Sequence, residues 1–294
     1  MKFIKIKEKA IHFFFFLTGI SAVIILAGIF LMLVFNGFRL FEDVGLSDFF
    51  FGTTWNPSAY EKSSYGILSM VVGTFMVTLG AMIIAVPLGI GAAAYIADVA
   101  SPKIRETLKP IIEILAGIPS VAIGFIGIVL VGPLIAKTFG LTSGLNALNG
   151  SILLSVMALP TIITISEDAI RAVPRDYKEA SYALGADRWT TLMKVTLPAA
   201  FSGIIASVML GIGRAIGETM TVLMVTGNAI AMPHSFFNSV RTITATIAIE
   251  LGEVPYGTSH YYALFAIGAV LFLISIGVNL VAEIFITRFR KAGI

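Results

Sequence analysis

The sequence has no cysteine, three histidines and charge on only 13% of its 294 residues. The lack of cysteine excludes thiolate metal sites, thiol nucleophiles and disulfides within the chain. There is no Gly-x-x-x-x-Gly-Lys-Ser/Thr segment, hence no phosphate-cradling loop of a nucleotide hydrolase; the nearest lookalike, Lys137-Thr138, follows Ala136 at the edge of an apolar run. Gly211, Gly213 and Gly217 do not keep the dinucleotide-binding spacing, and no strand signal precedes them. Paired carboxylates, metal-ligand spacings and nucleophile–base pairs at one depth are missing as well. His234 and His260 have no ligand-spaced companion and read as surface histidines, while Glu113, Glu167 and Asp168 read as solvated or capped helix termini. Neither enzymatic chemistry nor a metal or other cofactor is expected.

What is abundant is apolar sequence. At 57% apolar residues and a mean hydropathy of +0.95, the chain holds more than one globular core of its length buries, and an all-α membrane protein is expected. Six runs reach the roughly 20 apolar residues that a crossing needs. They are Ile11 to Phe35, Ile67 to Ile96, Leu108 to Ile135, Ser151 to Ile170, Phe201 to Val225 and Tyr261 to Phe285. The first follows Lys2, Lys5, Lys7 and Lys9 as a secretory signal would. It is longer than a signal's apolar core and lacks a small-residue cleavage site, so it reads as an uncleaved anchor. The chain then divides into residues 1–66, an N-terminal transmembrane helix with a long outer loop, and 67–294, a core of five transmembrane helices.

Basic residues orient these helices. Placing the N-terminus, the second and fourth loops and the C-terminal tail on one side collects 15 of the 20 lysines and arginines there. Arg39, Lys62, Lys137 and Arg241 fall on the other side. By the positive-inside bias both termini are cytoplasmic, and the chain is a multi-pass protein of the plasma membrane. One basic residue, Arg214, is left at membrane depth, where a charge is functional by default.

Projected on one helix from 201 to 225, Ser207, Arg214, Glu218 and Thr221 form a single polar stripe, which must face the bundle interior or a water-filled path. Arginine's planar fork binds phosphate with two hydrogen bonds. Glu218 is expected to neutralise Arg214 between substrate passages, which makes the stripe a translocation path or gate. The alternative is a permanent ion pair that fixes packing, although arginine ahead of glutamate is the weaker i,i+4 order.

The cytoplasmic loop 174–198 carries the other candidate. Pro174 suits a first helical position, the next turns put Tyr177, Ala180, Ser181 and Leu184 on one face, and Gly185 suits a left-handed stop. A second short helix from Asp187 places Trp189, Leu192 and Met193 on its apolar side and ends before Pro198. Such a pair fits a groove on a partner or lies on the lipid surface. On the outer side, Trp55, Asn56, Pro57 and Tyr60 offer docking material, and Ile243 to Leu251 reads as a short helix dipping back toward the membrane.

Glu179-Ala180-Ser181, Gly185, Val195, Leu197 and Pro198 resemble, in full spacing, the EAA loop of ABC-importer permeases, with Ser181 for an alanine and Val195 for an isoleucine. Ile114 to Val121, Leu159-Pro160-Thr161 through Pro174, Gly213 to Met220 and His260 to Phe265 resemble the phosphate-specific PstC and PstA permeases, with Met220 on the PstC side. The resemblance implies a type I ABC-importer permease fold whose EAA loop docks into an ATPase. It also implies a half-channel paired with a PstA-like permease subunit, two copies of a PstB-like ATP-binding subunit, and a PstS-like phosphate-binding protein outside. Permeases for sulfate, molybdate or phosphonate share the loop logic. A stand-alone channel or secondary transporter would explain the buried charges but not the loop; a membrane anchor or signalling scaffold would explain the loop but not the stripe.

Overall fold

In lipid the backbone must satisfy its own hydrogen bonds, so long apolar runs close into helices. The computed structural model describes residues 2–59 and 63–291; Tyr60 and Lys62 of the first outer loop lie outside the described residues. Among the described residues five helices are long and apolar enough to cross a membrane, or six if one bent pair counts as a single span. The first run forms α1 (Lys2–Phe38), whose most apolar stretch buries nothing inside the protein, as befits a helix facing lipid.

The segment that follows is folded rather than extended. A 3₁₀ turn (Arg39–Glu42), α2 (Leu46–Phe51) and the antiparallel pair β1 (Trp55–Asn56) and β2 (Ser64–Tyr65) set Leu40, Phe49, Trp55 and Tyr65 into one apolar cluster. It packs on the start of α3 (Leu68–Ala94) through Ile67 and Met70. The cluster also takes in Ile243 and Ile267, from segments reached much later in the chain.

The centre of the bundle is α3, which runs on into a π-helical turn (Tyr95–Val99), packed along α7 (Ala147–Arg171). Small residues allow the close approach. A Cβ on Gly80 would stand 2.4 Å from the Ser151 hydroxyl, and one on Gly89 2.6 Å from Ile162. Val77, Ala81, Ala85, Leu154, Ala158 and Ile162 fill the seam.

Two of the expected spans, the third and the fifth, are interrupted. The third run splits into α4 (Pro102–Ala116), α5 (Ser120–Ile126), a π-helical turn (Gly127–Val131) and α6 (Gly132–Phe139). The crossing is therefore Ser120–Phe139, and α4 precedes it as a separate helix with no residue fully buried. The break falls at Gly117-Ile118-Pro119, because a residue before proline is pushed out of the helical region.

The loop 174–198 forms α8 (Arg175–Ala183), α9 (Arg188–Thr191), a π-helical turn (Leu192–Thr196) and α10 (Leu197–Ala199). The chain bends by 68° between the Arg188–Ala199 segment and α11 (Phe201–Gly217). The fifth run is also not one helix to Val225. It stops at Gly217 and restarts as α12 (Met220–Val225), with Glu218 extended at φ −68°, ψ 131°. At helical rise the 17 residues of α11 span about 25 Å, short of the roughly 30 Å of a hydrocarbon core, so α12 is needed to complete the crossing.

The apolar stretch after α12 forms α13 (Ile243–Glu250), with Ile243, Thr244, Ala245 and Thr246 buried, before the final span α14 (Ser259–Lys291). Phe272 of α14 stacks on Phe30 of α1 at 5.1 Å. Glu250 gathers three donors: Trp55 Nε1 at 2.9 Å, Arg241 at 2.8 Å and the His260 ring at 2.8 Å. His260, expected on the surface, is only 20% exposed and ties α14 to α13 and the outer hairpin. Its partner is the last residue of α13, a position that the sequence spacing does not reveal.

Candidate functional site

Arg214 lies in the last turn of α11, where the carbonyl end of the helix dipole favours a cation. It is exposed, and its guanidinium donates to the Thr161 hydroxyl at 3.1 Å. Thr161 follows Pro160 inside α7. Among the described residues no atom closes the neighbouring face: a Cβ added to Gly213 or Gly217 would meet nothing within 4 Å.

The expected four-residue stripe does not form, because its projection needs one continuous helix and α11 ends at Gly217. Among the described residues no ion pair joins Arg214 to Glu218. Glu218 instead holds the break. Its carboxylate accepts from the Thr221 amide at 3.3 Å, and its main-chain carbonyl accepts from the Thr244 hydroxyl at 2.8 Å. These bonds satisfy backbone groups that a helix interruption frees at membrane depth.

Ser207 is fully buried and shares a 2.6 Å hydrogen bond with Ser166, fastening α11 to α7. Thr221 is also fully buried, and its hydroxyl donates to the Ser120 carbonyl at 3.0 Å. The break in the fifth span thus sits against the break in the third. Sequence separation hides this pairing, and although Pro119 marks the break at Gly117-Ile118-Pro119, no proline marks the one at Gly217-Glu218-Thr219. Of the four stripe residues, then, Arg214 alone presents charge to an open face, Glu218 is half-buried beside it, and Ser207 and Thr221 are interior ties.

A second charged centre lies at the other end of α7. Glu167, expected as a solvated helix terminus, is 1% exposed beneath three cations: Lys109 at 2.6 Å and Arg105 at 3.3 Å from α4, and Arg171 at 3.5 Å from its own helix. A carboxylate that deep requires such partners. Asp168 and Glu113 are exposed, as expected. The signal was present in part: Glu167 and Arg171 are an i,i+4 pair, as are Arg105 and Lys109 on α4. What the sequence conceals is that α4 leaves the third span and lies against α7.

In the loop 174–198, Pro174 caps α8 from just outside it, one position earlier than its expected first helical place. Gly185 takes the left-handed conformation at φ +85°. Asp187 caps α9 by accepting from the Thr190 amide at 2.8 Å, and hydrogen bonds from Thr190 hold its carboxyl below the usual range. The Ser181 and Thr191 hydroxyls meet at 2.9 Å between the two helices. Ser181 and Leu192 turn inward, whereas Tyr177, Leu184, Trp189 and Met193 stand exposed, with Glu179 and Ala180 also at the surface. Leu197 and Pro198 are half-buried where the loop rejoins the bundle.

Residues 85–291 match the family described as binding-protein-dependent transport system inner membrane component. The chain is 34% identical over 312 residues to the phosphate transport system permease protein PstC of Xylella fastidiosa, covering 98% of this chain and 94% of that protein. It is 39% identical over 259 residues to the probable ABC transporter permease protein YqgH of Bacillus subtilis, covering 86% of this chain and 84% of that protein. Among solved structures it is similar to the inward-facing MetNI methionine ABC transporter, at a TM-score of 0.57 and 19% identity over 76% of this chain and 94% of that one. It is also similar to a bacterial alginate ABC transporter in complex with a pentasaccharide-bound periplasmic protein, at a TM-score of 0.56 and 15% identity over 85% of each chain. At these identities the structural likeness is one of fold.

Proposed function

Because the chain belongs to the binding-protein-dependent transport system inner membrane components, with the type I ABC-importer permease fold, we propose that it forms half of the translocation path of an ATP-driven phosphate importer. The observation that carries the substrate is the 34% identity to a phosphate transport permease across 98% of this chain. In this reading the chain pairs with a PstA-like permease subunit and receives phosphate from a PstS-like binding protein outside. Two PstB-like subunits below hydrolyse the ATP, which suits a chain that carries no phosphate-cradling loop of its own. Both termini are cytoplasmic, residues 1–66 brace the outer side, and residues 67–294 carry the path.

Arg214 is the residue that meets the anion. Its fork offers two parallel hydrogen bonds, and the bare face along Gly213 and Gly217 leaves room for a ligand or for the second permease subunit. Thr161 holds the guanidinium toward that face. Glu218 keeps the helix broken there, an arrangement typical of transporter sites at membrane depth. The exposed surface of Tyr177, Leu184, Trp189 and Met193 docks the ATPase, with Glu179, Ala180, Ser181, Gly185, Leu197 and Pro198 as the coupling motif.

The test is ATP-dependent uptake of radiolabelled phosphate by the assembled complex in vesicles, challenged with arsenate and sulfate. Arsenate competes and sulfate does not. Equal competition by sulfate would move the chain to a broader oxyanion class, and uptake without the ATPase would make it a stand-alone channel or secondary transporter.

A further inference from the structure

The fifth span is not the only way from the cytoplasmic loop into the bundle. Asp98 sits on the π-helical turn that ends the second span, and its side chain is 10% exposed. Both coupling helices reach it. Lys178 of α8 pairs with its carboxylate at 2.5 Å, and the Arg188 guanidinium, at the start of α9, donates to its main-chain carbonyl. That carbonyl belongs to the last turn of a helix, where oxygens lack partners within the helix. Single π-helical turns of this kind occur often at functional positions.

Apart from these, the coupling unit and the span share one apolar cluster, to which the span gives Ala93, Ala94 and Ala97 and the coupling unit Leu192, Leu197 and Ala200. Such surfaces can slide, whereas an ion pair and a directed hydrogen bond on one residue resist both shear and rotation. We propose that Asp98 is a positioning residue, the anchor by which the coupling helices grip the second span and drive it.

The grip leads toward Arg214 through packed atoms. Nine residues up α3, Gly89 leaves its space to Ile162 of α7, where a Cβ would stand 2.6 Å away. The same Ile162 fills the space left by Gly211 on α11, at 2.9 Å from a would-be Cβ, and it neighbours Thr161, the partner of Arg214. A shift of α3 therefore presses Ile162 at the point where α7 and α11 cross below Arg214. This inference rests on the importer reading, and a contiguous chain of contacts needs a coupling measurement to support it.

The assay uses the complete complex in vesicles, with ATP hydrolysis and uptake measured on the same sample. The wild-type complex is first offered phosphate, sulfate and molybdate, and whichever anion it moves serves as cargo, so failure of the phosphate reading leaves this test intact. Asp98→Asn and Lys178→Met are expected to keep hydrolysis within about twofold of wild type while anion moved per ATP falls about fivefold, the low end of coupling effects. The exchange Asp98→Lys with Lys178→Asp is expected to restore at least half of the lost transport per ATP. Unchanged transport per ATP in both single variants would overturn the proposal. So would a proportional fall of hydrolysis and uptake that the exchange does not mend, since that marks a residue needed only for folding or assembly.

Discussion

The two ends of α7 handle charge in opposite ways. Near its C-terminal end one buried carboxylate, Glu167, is surrounded by three cations within 3.5 Å. Further up, beside Pro160, one cation, Arg214, has the Thr161 hydroxyl for a partner and, among the described residues, no ion pair with an acid. A charge that is neutralised on all sides belongs to the architecture, and a change there is felt as lost stability. A charge held only by a neutral group keeps its capacity to bind, because the attraction has not been used up by the protein itself.

That contrast can be broken at either end. The largest effect is expected for Glu167→Ala, which leaves three cations around an uncharged cavity. They keep some access to solvent, so the loss sits at the low end for broken buried pairs, about 3 kcal/mol, read as a lower melting temperature of the purified complex. Transport per intact complex, measured well below melting, stays within about twofold. Arg214→Gln is expected to do the reverse, cutting uptake about 100-fold, or about 2.7 kcal/mol, with melting unchanged, and Arg214→Lys about tenfold because the fork is lost but the charge remains. Near-normal uptake by Arg214→Gln would erase the distinction between the two ends.

Smaller changes sharpen it. Ser207→Ala removes the link to Ser166 and is expected to cost about 1 kcal/mol of stability without altering uptake; a transport defect in a well-folded variant would return Ser207 to the path. Thr161→Val keeps the shape but not the hydrogen bond, and is expected to raise the KM for phosphate about threefold at constant maximal rate.

What could be read from the sequence was local. Gly185 and Asp187 sit where a left-handed stop and an N-cap belong, because those residues act on neighbours one to three positions away. The apolar runs are legible for the same reason, since each must shield its own backbone from lipid. The break after Gly217 was not, because no proline marks it. It depends on Thr244, from a segment far along the chain, to satisfy the Glu218 carbonyl. The burial of Glu167 is not legible in the sequence because its main partners lie on α4, a helix that continuous hydropathy merges with the third span.

The 68° bend before α11 makes the last segment of the loop and that helix a bell crank rather than a piston. A displacement of the short arm along its own axis divides into roughly two-fifths along α11 and roughly nine-tenths across it. Arg214 lies 13 residues beyond Phe201 at the bend, about 20 Å along the long arm. A small stroke of the short arm therefore carries the guanidinium more than twice as far across α11 as along it.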